Sequence, residues 1–431
     1  MGIEGSAPTA LVQVTVQADW TDVIADALRL NSTGTFWVSC YKRGSPSVHG
    51  AAMATIVGDR KVQLTGHDGI ILETITNYSF KVKIPEYDNV EVEVYGTGRR
   101  SSIAKISSMD VSPEGALFVT GSEDGTLRIG ETESGRITQE LKAHIQYVNT
   151  CRFFPSGQVV LSGGGDFLLK VWSVLDGSCP VTMKGHIKPI SDTAIIDRGR
   201  NVVSSSNDGT VKLWEVASGT TIRTLLQHEA RVNAIALDSW ESTVETGLPL
   251  DPKEVSTEGK LVIAASESGT LYGLDVRASE EAFRRKSYNK APLRACAYSA
   301  QHSFVVSGTS EGVVEIFDIR KADQVLNRFQ RGTAGISSIV VSVPSSSSTL
   351  SSGQNGPGLI IGCDDSGVYE TKPIQGETTV QVLREYVGYD LDGPARARVV
   401  GHGPGLVAIS KEGGLLRFSG TLGGAASVPA V

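Results

Sequence analysis

Residues 144–172 read HIQYVNTCRFFPSGQVVLSGGGDFLLKVW, and residues 186–214 read HIKPISDTAIIDRGRNVVSSSNDGTVKLW. The two stretches share four landmarks in the same order: His144, Ser162, Asp166 and Trp172 in the first, His186, Ser204, Asp208 and Trp214 in the second. Each landmark recurs at an offset of 42, within the range of about 40 to 45 residues that marks one four-stranded blade of a β-propeller. A single four-stranded sheet cannot bury both of its faces, so such units must stack side by side until the ring closes. Two copies imply more.

The other copies are legible through their tight turns, where an acidic or small residue meets Gly between two apolar runs. These turns fall at Ser122-Glu123-Asp124-Gly125, Gly165-Asp166, Ser206-Asn207-Asp208-Gly209, Ser266-Glu267-Ser268-Gly269, Thr309-Ser310-Glu311-Gly312, Asp364-Asp365-Ser366-Gly367 and Lys411-Glu412-Gly413. Each joins strands b and c of a unit, which gives seven blades over residues 89–431. Two insertions, ETGLPLDPKEVSTEG before Lys260 and PSSSSTLSSGQNG before Gly358, both fall between strands a and b and so project from one face. The chain ends soon after the seventh strand c. Asn89 to Tyr95 (NVEVEVY) is therefore expected to supply the missing strand d and close the ring.

Residues 1–88 lack the repeat and read as a separate small α+β domain. LVQVTV at 11–16 is strand-like, and Trp20, Val23, Ile24, Ala27 and Leu28 share one helical face, with Asp19 placed as an N-cap and Asn31 to Gly34 as the stop. The runs TFWVSCY, KVQLT, GIILETI and SFKVKI follow as strands. The expected fold class is all-β: a seven-bladed WD-repeat β-propeller with a small N-terminal α+β domain.

Composition narrows the function. With 40 basic and 47 acidic residues the formal charge of the 431-residue chain is -7, which argues against general affinity for nucleic acid or anionic lipid and favours a basic protein partner. Five Cys, at 40, 151, 179, 296 and 363, are odd in number and dispersed; they read as reduced thiols of a cytoplasmic and nuclear protein, with no disulfide framework or metal site. No apolar run approaches the roughly 20 residues of a membrane span, so a soluble, unsecreted chain is expected; a monomer is the expected state. Met1-Gly2-Ile3-Glu4-Gly5-Ser6 fits the loose N-myristoylation pattern, which six residues with three free positions match often by chance.

Ser, His and Asp within one unit also invite a hydrolase reading. A catalytic triad occurs once, however, whereas this group recurs at fixed spacing and ends in Trp. The tetrads are better read as a hydrogen-bonded chain from indole through Ser and His to Asp, tying strands b and c to the loop before strand a. Other blades are degenerate: Gly130 stands where blade 1 would have Trp, and Ala264, Ser268 and Leu274 follow His228 in blade 4. No catalytic, cofactor or metal site is expected. The b–c turns share one rim, where Glu123, Asp124, Glu267, Glu311, Asp364, Asp365 and Glu412 are candidates for an acidic partner-binding face, diluted by Lys188, Arg231, Arg294 and Lys411. Asp275-Val276-Arg277 and Asp318-Ile319-Arg320, each an Asp-x-Arg at the end of a strand c, resemble the docking signature of WD-repeat substrate receptors of cullin ubiquitin ligases, the alternative reading.

The elements FFPSG, VLSGG, KGH and DTAIIDRGRNVVS, in that order between Cys151 and Glu215, are more specific than a generic WD repeat. They resemble the WD-repeat chaperone family called proteasomal ATPase-associated factor, in a fungal-type form. The resemblance implies an assembly chaperone of the proteasome regulatory-particle base that binds the C-terminal domain of an ATPase subunit and leaves before the holoenzyme matures. The two long a–b insertions depart from the animal pattern of that family.

Overall fold

A computed structural model describes residues 7–58, 61–96, 100–102, 105–240, 251–278, 280–321, 324–342, 357–364, 367–372, 374, 380–387, 394–400, 405–410 and 414–419. Seven antiparallel sheets succeed one another along the chain, each in the order a-b-c-d. Blade 2, for example, runs Val148–Phe153, Val159–Gly164, Leu169–Ser173 and Val181–Met183, and blade 3 runs Ile190–Ile196, Asn201–Ser206, Thr210–Glu215 and Thr220–Gln227. The innermost strands touch in cyclic order, and strand a of blade 7 (Pro394–Val400) touches that of blade 1 (Ile106–Val111), so the ring is closed.

The sequence of each strand follows its distance from the axis. Strand b is covered by a neighbouring blade on both faces, so runs such as Asn201–Ser206 and Phe304–Thr309 are buried at every position and, after their first residue, consist of β-branched and small residues. Outer strands such as Ile137–Lys142 and Glu281–Lys286 face water on one side and alternate instead. Around the inner wall, blades 1 to 4 each reach the next blade through a polar side chain at an equivalent place in strand a. Ser107 donates to the Val148 carbonyl, Asn149 to that of Ile190 at 2.6 Å, Ser191 to that of Val232, and Asn233 to that of Leu293 at 2.7 Å. These four donors stand 42 residues apart, a second register of the same repeat.

Ring closure differs from the sequence expectation. Arg100–Ser102, not the segment 89–95, pairs antiparallel with Gly414–Ser419 and completes blade 7. Val90–Tyr95 instead pairs parallel with Val382–Tyr386, the outer strand of blade 6. The reason lies in its other edge: Val90–Tyr95 is the second arm of a hairpin with Ser79–Ile84, and that hairpin carries it to blade 6. The sheet of blade 6 thereby grows to seven strands, ending with Ile71–Thr76.

The separate unit ending at residue 88 is corrected by the same pairings. Val12–Val16, Gly34–Lys42, Val48–Val57 and Lys61–Gly66 do form their own sheet, with the helix Trp20–Leu30 packed on it. Yet Thr9–Ala10 pairs parallel with Val325–Gln330 of blade 5, and residues 71–95 belong to blade 6. One apolar core spans both parts: Trp20 meets Phe80 edge-on at 5.2 Å, and Val14 and Phe36 share that core with Phe329 and Tyr369. The helix face reads as expected, with Trp20, Ile24 and Ala27 buried, and it ends at Asn31 in the left-handed conformation. Asp19 occupies the N-cap position but makes no cap; its carboxylate accepts from Gln17 at 2.8 Å.

Candidate partner-binding face and the buried tetrads

In blade 2 the indole of Trp172 donates to Ser162 Oγ at 2.9 Å, Ser162 lies 2.8 Å from His144 Nε2, and His144 Nδ1 lies 2.7 Å from Asp166. Blade 3 repeats the chain: Trp214 to Ser204 at 2.8 Å, Ser204 to His186 at 2.7 Å, and His186 to Asp208 at 2.9 Å. Donor counting sets the direction. The Ser oxygen already accepts from Trp, so its hydroxyl proton goes to Nε2, and the imidazole proton sits on Nδ1 facing the carboxylate. Each Asp also accepts the N–H of the residue after the His, Ile145 at 3.3 Å and Ile187 at 3.1 Å.

The electrostatics suit a neutral imidazole at His144 and an ionised carboxylate at Asp208. Burial holds His144 below its ordinary value, outweighing the pull of Asp166 toward the charged form. Burial alone would raise the Asp208 carboxyl, but hydrogen bonds from His186 and Thr210 hold it well below the usual carboxylate range. The imidazoles are fully enclosed, and Ser162 and Ser204 are 0% exposed. No substrate atom can reach either Ser without opening the blade.

The rim acids occupy one face, since b–c turns and d–a loops lie at the same end of the strands. Most are engaged within the molecule. Glu123 lies 3.9 Å from Lys105; Asp124 accepts from Arg128 at 3.2 Å and from the Thr126 N–H at 2.9 Å. Glu267 accepts from Asn233 at 2.6 Å, and Asp364 pairs with Arg294. Glu311 is exposed, with its backbone carbonyl taken by Gln330. Asp365 and Glu412 lie outside the described residues. At the other end of the strands, both Asp-x-Arg segments are also occupied: Asp318 binds Arg320 at 2.8 Å, and Arg277 lies 3.4 Å from Glu258.

The same rim holds apolar groups that the acidic pattern obscured. Ile145 is 91% exposed and Ile187 is 76% exposed, each directly after a tetrad His. Phe167, 38% exposed, stands in the b–c turn of blade 2 at φ 70°, where Gly125, Gly209, Gly269, Gly312 and Gly367 stand in the other described turns, all at positive φ. Left-handed backbone at a residue with a Cβ costs about 1–2 kcal/mol. The signal was present in the sequence as Asp-Phe where the other turns end in Gly.

Along the axis, strands a of blades 1 to 6 line a cavity of about 640 Å³. Its charged groups are cross-linked: Asp192 accepts from Arg152 at 3.0 Å and from the Ile235 N–H at 3.1 Å, and Asp110 accepts the Phe153 N–H at 2.9 Å. No cluster of His, Cys, Asp and Glu suited to a metal occurs among the described residues.

Two adjacent blades locked by a Trp-Ser-His-Asp chain within a ring of seven define a WD-repeat propeller, and the family described as WD domain, G-beta repeat matches residues 96–129, 135–173 and 177–215. The chain is 40% identical over 332 residues to "Proteasomal ATPase-associated factor 1" of Gallus gallus, covering 75% of this chain and 82% of that one. It is 37% identical over 338 residues to "Probable proteasomal ATPase-associated factor 1" of Dictyostelium discoideum, covering 74% and 78%, and 33% identical over 143 residues to the Homo sapiens factor, covering 32% and 35%. The chain belongs to the proteasomal ATPase-associated factor 1 family.

Proposed function

We propose that this protein is a non-enzymatic assembly chaperone of the proteasome regulatory-particle base. In this reading it binds the C-terminal domain of an AAA-type ATPase subunit through the face of b–c turns and d–a loops, as a monomer in cytoplasm and nucleus, and leaves before the holoenzyme matures. The observation that carries the reading is family membership over four fifths of a relative whose name states ATPase association. Two features of the fold support it. The only repeated His-Ser-Asp groups among the described residues are enclosed and saturated, which leaves surface recognition as the working principle. A closed ring with one face free of long a–b insertions offers a rigid docking platform.

Affinity purification of the tagged full-length chain tests the proposal. Recovery of proteasomal ATPases without core particle is the expected outcome. Recovery of a cullin adaptor instead would replace it with the substrate-receptor reading, for which the internal pairing of Asp318 with Arg320 leaves little free docking surface. Deleting the C-terminal domain of the captured ATPase should abolish binding.

A further inference from the structure

Phe167 is hard to account for by folding. In blades 1, 3 and 4 the carbonyl of the turn glycine accepts an N–H from the following d–a loop, from His144 at 2.9 Å, His228 at 3.0 Å and Ser287 at 2.8 Å. Those loops press so close that a Cβ on Gly125 or Gly209 would fall within 2.2 Å of a backbone carbonyl oxygen. In blade 2 no backbone N–H reaches the Phe167 carbonyl among the described residues, and the outer strand shrinks to Val181–Met183. Phe167 thus carries left-handed strain that Gly would relieve, in a turn whose carbonyl the next loop does not reach. Strain retained at an exposed bulky side chain points outward, to a contact.

The surroundings say what kind of contact. Ile145 and Ile187 take equivalent places on adjacent blades, their N–H groups pinned by Asp166 and Asp208 while their side chains face solvent. In blade 4 the corresponding residue is Glu229. Charges of both signs border the group: Lys105 paired with Glu123 on one side, Lys188 and Glu229 on the other. A border of balanced sign matches an apolar partner surface better than a basic one, because the acids that would attract cations are mostly committed internally.

We propose that the proteasomal ATPase subunit docks on blades 2 and 3 through an apolar surface centred on Ile145, Phe167 and Ile187. The proposal rests on the partner reading above and adds the contact that carries it.

The test measures binding of each purified proteasomal ATPase subunit to the full-length chain, at low and at high salt, with thermal unfolding of every variant. The expected result is an affinity little changed by salt, weakened about tenfold or more by Phe167→Gly and by Ile145→Ser with Ile187→Ser, the range of interface hot spots. Phe167→Gly should meanwhile unfold at the wild-type temperature or above it. Wild-type affinity in the variants overturns the apolar contact and leaves the ATPase partner standing. So does binding that collapses with salt, which would return the contact to the rim acids. A Tm lowered by Phe167→Gly makes the residue structural and overturns its assignment. Wild-type protein that binds none of the subunits sinks the partner and the contact together.

Discussion

His144 and Asp208 tie the tetrads to pH. His144 titrates below its unfolded value near 6.5. Between those two values the unfolded chain binds the extra proton, so the stabilisation is complete above the unfolded value and is lost as pH falls through the folded one. Acidification from neutral pH should lower the Tm of the wild type more than that of His144→Gln, and equal slopes would remove His144 as the source. Asp208 is depressed as well, so its contribution is complete above the ordinary carboxylate value and is lost as pH falls from there through the folded one. Asp208→Ala strips acceptors from His186, Ile187 and Thr210 and should cost about 2–3 kcal/mol in denaturant unfolding. The tetrads were legible because four side chains at fixed spacing repeat. Phe167 shows in the sequence only as the Gly its turn lacks: its meaning depends on φ at one residue and on how near the next loop comes.

At the scale of strands and sheets, blades 5 and 6, which lack the tetrad, are the ones whose outer strands pair with N-terminal strands. Where blades 2 and 3 place tetrads, blade 6 buries Glu385 against Arg331 at 3.1 Å, and Glu385 also accepts the Val14 N–H from the N-terminal sheet at 3.2 Å. Burial pushes the Glu385 carboxyl up to about 7 despite Arg331, which rests over the Tyr369 ring. Removing one partner leaves the other enclosed and unmatched, so Glu385→Ala should cost about 3–5 kcal/mol, whereas the double change Glu385→Leu with Arg331→Met should recover most of it. Urea unfolding of the two variants checks this; equal losses would mean that the pair is not coupled. Among the elements, apolar runs on either side of the b–c turns marked strands b and c of the blades. Val48–Val57 was missed because its Gly50, Ala51, Ala52 and Ala54 carry little β signal; Gly50 is small because a Cβ there would meet His67 and Ile70.

For the molecule as a whole, closure by Arg100–Ser102 and the shared sheet of blade 6 make the N-terminal hundred residues part of the ring. Truncation before residue 105 should therefore give an aggregating or partly unfolded product by size-exclusion chromatography and circular dichroism, since it opens the edges of blades 5, 6 and 7 at once. A monodisperse, cooperatively unfolding fragment would show that the ring closes without them. Period, turn chemistry and strand pattern, all local, were enough to determine seven blades, the b–c turns that lie among the described residues, the place of both insertions between strands a and b, and the tetrad residues. Tertiary structure alone decided which N-terminal strand closes the ring, because Val90–Tyr95 and Arg100–Ser102 compete for edges hundreds of residues away and the hairpin to Ser79–Ile84 settles the contest. It alone also decided which rim charges are spent on neighbours, since ion pairing depends on distances across loops that no residue spacing encodes.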